Sequence, residues 1–225
     1  MKKNIILIGV MGFFISIISF NSWAQDAKVT TKKITVKAKK QNFKNALVAP
    51  TRKVFLRLQK QYEQARKEIK KDPNSKHIQS LRGKYKAANN TDLLSALKPH
   101  PISLTLAQGA MESAWGTSRF FKKANNVFGV WSFNKNEKRI AAKKKRKNKT
   151  IWIKKYDSIE DSVENYYHIL ATGPAYREFR KEKMRSNDPL ILATKLDKYS
   201  EKGSQYGKEL ISMIKYNKFR KFDKI

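Results

Sequence analysis

The sequence predicts an α+β fold, mostly helical, with a small β lobe inserted between two groups of helices. Three observations predict it. Apolar residues recur at helical spacing through the first half of the chain, as in Phe55, Leu58, Tyr62, Ala65 and Ile69. From Asn125 to Tyr156 that periodicity stops, and turn formers with β-branched and aromatic residues replace it. It resumes at Ser158 and continues through Ile214.

The elements follow in order. Residues 1–24 read as a secretory signal: Lys2 and Lys3, the apolar run Ile5 to Phe20, then Ser22-Trp23-Ala24 with small residues where cleavage requires them. Residues 25–45 hold seven lysines against Asp26 and read as a flexible basic linker. Residues 46–98 form an N-terminal helical region. Its first helix runs from Leu47 to Ile69 and stops at Asp72-Pro73-Asn74. A second helix carries Ile78, Leu81, Tyr85 and Ala88, and a short third, capped by Thr91 or Asp92, carries Leu93, Leu94 and Leu97. Within 99–222 the first helix extends from near Pro101 to about Gly116, and it is the most apolar after the signal. Asn125 to Trp131 suits a turn into extended chain. Ile151-Trp152-Ile153 with Tyr156 reads as a strand that pairs with Arg139-Ile140-Ala141, joined by a polar tip from Lys143 to Lys149. Ser158 and Asp161 form a capping box before Val163, Tyr166, Tyr167 and Leu170. Asp188-Pro189 opens another helix by cap and first-turn proline, and a last one bears Tyr206, Leu210, Ile211 and Ile214.

Composition narrows the chemistry. The formal charge is +32, from 50 Lys and Arg against 18 Asp and Glu. Such a balance fits polyanions, and export directs it to anionic envelope polymers instead of nucleic acid. Residues 133–155 concentrate it, with eleven Lys or Arg against Glu137. The chain has no cysteine, hence no disulfide and no thiol nucleophile. Its three histidines, His77, His100 and His168, have no metal-site spacing, and no G-x-S-x-G occurs. Neither metal nor cofactor is expected. His100, between Pro99 and Pro101, reads as a turn residue. After signal cleavage no transmembrane span is expected, and the protein is placed in the periplasm or cell envelope.

Against 30% charged residues overall, the stretch Pro99 to Ser118 carries one charge, Glu112. A carboxylate in such a run loses hydration, which raises its pKa and makes it a proton donor near neutral pH. On a helix, Ile102, Leu106, Ala107, Ala110 and Ala114 share one stripe, and Glu112 lies opposite among Thr105, Gln108 and Trp115. That polar, uncharged face suits the floor of a cleft.

Taken together, A107-Q-G-A-M-E-S-A-W-G-T-S-R-F120, N125-N-V-F-G-V-W131, Y156-D-S-I-E-D-S162, A175-Y-R-E-F179 and Y199-S-E-K-G-S-Q-Y206 resemble the glucosaminidases of glycoside hydrolase family 73, and within them the Bax-like branch. The resemblance implies a lysozyme-like fold for residues 99–222 and hydrolysis of the β-1,4 bond after N-acetylglucosamine in peptidoglycan glycan strands. It implies that Glu112 is the general acid and that Trp131, Phe128 and Tyr199 line the glycan cleft. Gln108, Trp115, Asn126 and Tyr156 complete the candidate substrate-binding set. Ala114 stands where the family has glycine, and Val127 where it has leucine.

Glycosidases pair their acid with a second group. Between Glu112 and Asp157 the only other acid is Glu137, which Lys135, Lys138 and Arg139 would hold ionised as a base that activates water. Water positioned by Tyr199, or the substrate's acetamido group, would serve instead. A lytic transglycosylase would need only the acid, but its glycine-leucine-methionine-glutamine segment is missing. A non-catalytic module bound to wall polyanions is the other alternative.

Overall fold

The computed structural model describes residues 35–143 and 149–224. The signal segment, residues 1–24, therefore lies outside the described residues, as does most of the basic tip, 144–148. Nine α-helices and one two-stranded sheet are present among the described residues: α1 (Val36–Lys71), α2 (Lys76–Tyr85), α3 (Asn90–Leu97), α4 (Ile102–Glu112), α5 (Arg119–Ala124), β1 (Arg139–Ala141), β2 (Trp152–Lys154), α6 (Ile159–Thr172), α7 (Arg177–Arg185), α8 (Pro189–Ala193) and α9 (Ser204–Tyr216). Helices come first, the β pair is inserted, and helices return, as the sequence predicts.

The largest difference lies at the start. The basic segment 25–45, expected as a linker, is helical from Val36, where Thr35 caps the helix by accepting from the Ala38 amide. Lys37 is exposed and Lys39, Lys40 and Lys44 are half-buried, while Phe43 and Leu47 are buried, so tertiary packing holds a turn that composition alone does not favour. α1 runs on through Pro50, which cannot donate to the preceding turn.

Two apolar clusters organise the rest. The smaller joins Tyr62 and Ala65 of α1 to Ile78, Leu81 and Tyr85 of α2 and Leu93 and Leu97 of α3. The larger gathers Phe43, Leu47 and Val54 of α1 with α4, α6, α8, α9 and Phe219. α1 thus belongs to both, and its first half packs directly on α4. Contact there is close: a Cβ on Gly109 would lie 2.8 Å from Leu47 Cδ2 and 3.0 Å from Val127 Cγ1. Within this core α4 is buried on every side from Ile102 to Ala110.

The β pair is antiparallel, with Arg139 opposite Lys154, Ile140 opposite Ile153 and Ala141 opposite Trp152. Trp131 adds an isolated bridge to Ile153. The capping box at the head of α6 forms as expected, Ser158 and Asp161 bonding reciprocally. Helix α3 is capped by Asn89 in place of Thr91 or Asp92. His100 lies in the connection between α3 and α4, and it is wholly buried there, stacked on Tyr167 at 4.1 Å with Nε2 on the Thr105 hydroxyl at 3.0 Å.

Candidate active site

Helix α4 ends at Glu112, four residues before the Gly116 end that its apolar run predicts. The reason is a left-handed turn. Ala114, Trp115 and Gly116 have φ of 50°, 60° and 73°, which no helix continues. Ser113 ties this turn together: its hydroxyl donates to the Gly109 carbonyl at 2.6 Å and accepts from the Gly116 amide at 2.8 Å. At its other end α4 starts from Pro101, which supplies no side-chain cap. Asp223, far along the chain, does so instead, accepting from the Ser103 amide and hydroxyl at 2.7 Å each. Both ends of the helix that carries Glu112 are therefore fixed.

Glu112 is part-exposed, and it sits where the buried helix meets the surface. Burial raises its pKa from 4.5 to about 7, against the opposing pulls of a hydrogen bond from Tyr206 and the charge of Lys202. The negative end of the α4 dipole acts in the same direction as burial. Lys202 is itself ion-paired with Glu209 at 2.7 Å, which blunts its pull.

A relay of hydrogen bonds ends on this carboxyl. The Tyr166 hydroxyl donates to Gln108 Oε1. Gln108 Nε2 donates to the Tyr206 hydroxyl at 3.1 Å, and that hydroxyl donates to Glu112 Oε1 at 2.8 Å. Every donor in the chain points towards Glu112, so Oε1 is held as an acceptor. No hydrogen bond from the described residues reaches Oε2. The proton of the neutral acid therefore belongs on Oε2, where the group can give it away.

The other sequence-chosen residues divide by burial. Gln108 is fully buried and serves the relay, and with Thr105 it lies in the core instead of on a cleft floor. The floor at Glu112 is the end of α4, not its side. Phe128 is also fully buried, stacked on Tyr166 at 4.0 Å, so it offers no face to a sugar. Asn126 is buried and shapes its own turn: Nδ2 donates to the Val130 and Lys154 carbonyls at 3.0 and 2.8 Å, and Oδ1 accepts from the Val130 amide. Tyr156 is buried with its hydroxyl on Asn165 at 2.6 Å. Tyr199 is buried too and stacks on Tyr206 at 5.4 Å, supporting the residue that touches Glu112.

Of the residues chosen from the sequence, Trp115 and Trp131 remain at the surface. Trp115 is part-exposed, its edge against Phe43 at 5.4 Å, and Lys40 Nζ lies 4.8 Å from its ring. It lines a groove of about 470 Å³ with Met111, Gln205, Glu209 and Tyr216. Trp131 is part-exposed in the β lobe, 6.1 Å from the exposed Phe133.

Glu137 lies just before β1 and pairs with Lys154 of β2 at 3.1 Å. Burial works to raise its carboxyl, but hydrogen bonds from Ser132 and Lys154, the Lys154 charge and the Asn134 backbone outweigh it, leaving the pKa below the usual range. Lys154 does what Lys135, Lys138 and Arg139 were expected to do. Glu137 is not among the groups that act on Glu112.

Sequence reasoning placed Tyr206 among the apolar residues of α9 and missed its hydroxyl. The Y199–Y206 segment contains it, but the resemblance points to Tyr199 as the functional tyrosine. Among the described residues no cluster of three His, Cys, Asp or Glu is arranged to hold a metal ion, and no helix is long and apolar enough to cross a membrane.

Comparison with known proteins places this geometry in context. Residues 88–219, more than half of the chain, match the family model described as glucosaminidase, mannosyl-glycoprotein endo-beta-N-acetylglucosaminidase. Protein bax of Escherichia coli (strain K12) is 33% identical over 131 residues, covering 56% of this chain and 46% of that protein. Exo-glucosaminidase LytG of Bacillus subtilis (strain 168) is 32% identical over 81 residues, covering 34% and 29% respectively. The chain thus spans less than half the length of these curated relatives. Among solved structures, the catalytic domain of the autolysin Auto from Listeria monocytogenes superposes with a TM-score of 0.53 at 18% identity, covering 84% of this chain and 90% of that one.

Proposed function

The chain belongs to the glucosaminidase family of glycoside hydrolases, and on that premise we propose that it is an exported peptidoglycan hydrolase that cleaves the β-1,4 bond after N-acetylglucosamine, with Glu112 as general acid. Its fold is lysozyme-like. In the reaction the bond from the sugar C1 to the bridging oxygen breaks, and the leaving oxygen takes the proton from Glu112 Oε2. Water adds to C1 and gives up its own proton to a base.

One observation carries this reading. Burial pushes the Glu112 carboxyl up to about 7, so it can hold a proton to donate near neutral pH. The relay through Gln108 and Tyr206 fixes which oxygen holds that proton. We assign Tyr206 as the residue that positions the acid, and Tyr199 as the ring that supports it. For the base, Glu137 has the required ionised state, held by Lys154, and a substrate acetamido group is the competing candidate. The groove lined by Met111, Trp115 and Tyr216 offers an aromatic wall for a sugar ring. The basic segments around residues 25–45 and 133–155 hold the enzyme to anionic envelope polymers.

Digestion of purified peptidoglycan by residues 25–225, with reducing ends read by mass spectrometry, tests the proposal. N-acetylglucosamine ends are expected, and Glu112→Gln should release none. Anhydro-N-acetylmuramic ends would make the enzyme a transglycosylase, free muramic ends would make it a muramidase, and activity in the Gln variant would remove Glu112 from the mechanism.

A further inference from the structure

A second cavity, of about 390 Å³, lies apart from Glu112 and shares no residue with its hydrogen-bonded relay. Tyr85 of α2, Leu97 of α3, Ala171 of α6 and Lys98 form part of its wall, and Lys183 of α7 lines it as well. A volume of that order suits a small ligand.

Lys183 is the anomaly. It is only 2% exposed, yet among the described residues no carboxylate lies within ion-pair distance of its ammonium. Its ammonium lies 5.8 Å from the centre of the Phe179 ring. The charges that act on it, Arg180 and Lys98, are both positive, and with burial they bring its pKa down to about 7. Those two cations are themselves bonded only to carbonyls. Lys98 Nζ donates to the Lys183 carbonyl at 2.6 Å, and Arg180 donates to those of Leu170 and Gly173 at 3.1 and 2.7 Å.

The acids on the cavity wall are already engaged. Asp161 closes the capping box with Ser158, and Glu164 pairs with Arg57 at 2.8 Å. Lys183 and Lys98 thus line the cavity together, the Lys183 ammonium has no carboxylate within ion-pair distance, and a buried ammonium without a partner is a costly arrangement. What the cavity lacks is one negative charge. Beside these charges the wall carries an apolar and aromatic part, with Tyr85, Leu97, Pro99 and Ala171, that gives the body of an organic anion a contact inorganic phosphate lacks.

We propose that this cavity binds a small carboxylate ligand, the carboxylate pairing with Lys183 and the apolar body resting against Tyr85, Leu97 and Ala171. Lys98 and Arg180 add to the attraction without being consumed by it. The inference is independent of the hydrolytic reading, because its test does not use glycan cleavage.

Titrating the full chain in low salt with N-acetylalanine, its uncharged amide, and inorganic phosphate, by calorimetry and ligand-observed NMR, tests this. N-acetylalanine should bind, the amide and phosphate should bind much more weakly, and Lys183→Met should lower the N-acetylalanine affinity by at least about tenfold. Equal binding of acid and amide, preference for phosphate, an unaffected Lys183→Met variant, or no binding at all would overturn the assignment. Should Lys183→Met fail to fold, the wild-type chain decides: saturating N-acetylalanine should raise the Lys183 Nζ titration by about one pH unit or more. An unmoved titration refutes the site.

Discussion

Replacing Glu112 with glutamine should make the protein more stable at neutral and alkaline pH, and the gain should vanish in acid. The folded state holds this carboxyl at a pKa of about 7 against an ordinary 4.5. Between those values the folded chain keeps a proton that the unfolded chain has lost, so wild-type stability falls as pH rises and levels off above about 7. At about 1.36 kcal/mol per pH unit the full span corresponds to about 3.4 kcal/mol. Partial exposure of Glu112 screens some of this, leaving about 2–3 kcal/mol. Glutamine keeps an oxygen for the Tyr206 hydroxyl and never ionises. Urea unfolding of both proteins at pH 4.5, 6, 7 and 8 reads the difference directly. Near pH 4.5 the two should be close, and at pH 8 the variant should lead by about 2–3 kcal/mol, or roughly 5–10 °C in Tm. A difference that stays constant across pH would show that Glu112 titrates normally, and the argument for a protonated acid would fail with it.

Tyr206→Phe removes the hydrogen bond that lowers the Glu112 pKa; the alkaline limb of kcat/KM on glycan fragments should therefore move to higher pH. Ala114→Gly should stabilise the fold by about 0.5–1 kcal/mol in thermal unfolding, because glycine adopts the φ of 50° there without the alanine Cβ penalty. Asp223→Ala strips the remote cap from α4 and should cost about 1–2 kcal/mol, with a loss of turnover larger than any change in KM. Changing Lys143, Lys144, Lys145, Arg146, Lys147 and Lys149 to serine should weaken retention on isolated cell walls and flatten its salt dependence, measured by cosedimentation across a salt series.

The sequence carried more of the fold than of the site. The long run from Pro99 with Glu112 as its one charge reads as a buried helix, so α4 was readable, and the Ser158–Asp161 capping box announced α6 by local chemistry alone. The β pair was readable because Ile151 to Ile153 and Arg139 to Ala141 are extended-chain formers flanking a polar tip. Phe128 and Asn126 were misread for a shared reason: their surroundings are set by residues distant in sequence, Tyr166 and the Lys154 carbonyl. An aromatic in a turn reads the same whether it faces a cleft or a core. Tyr206 shows the same limit. At helical spacing with Leu210 and Ile214 it scores as a core residue, and only the approach of α9 to the end of α4 gives its hydroxyl a partner. The first turns of α1 escaped notice because lysine-rich sequence specifies no packing until Phe43 finds α4.

The Asp223 cap also has a consequence in time. A chain that emerges from its N-terminus can form α1 to α3 and bury much of their surface early. The helix bearing Glu112 is different, since the group that completes its first turn lies 120 residues downstream. Until residue 223 is out, α4 begins at an uncapped Pro101 and its leading amides have only water. A nascent or truncated chain that stops short of Asp223 therefore carries every residue of the relay without the cap that fixes this helix. Emergence of residue 223 is itself the step that supplies the cap on the helix bearing the carboxyl.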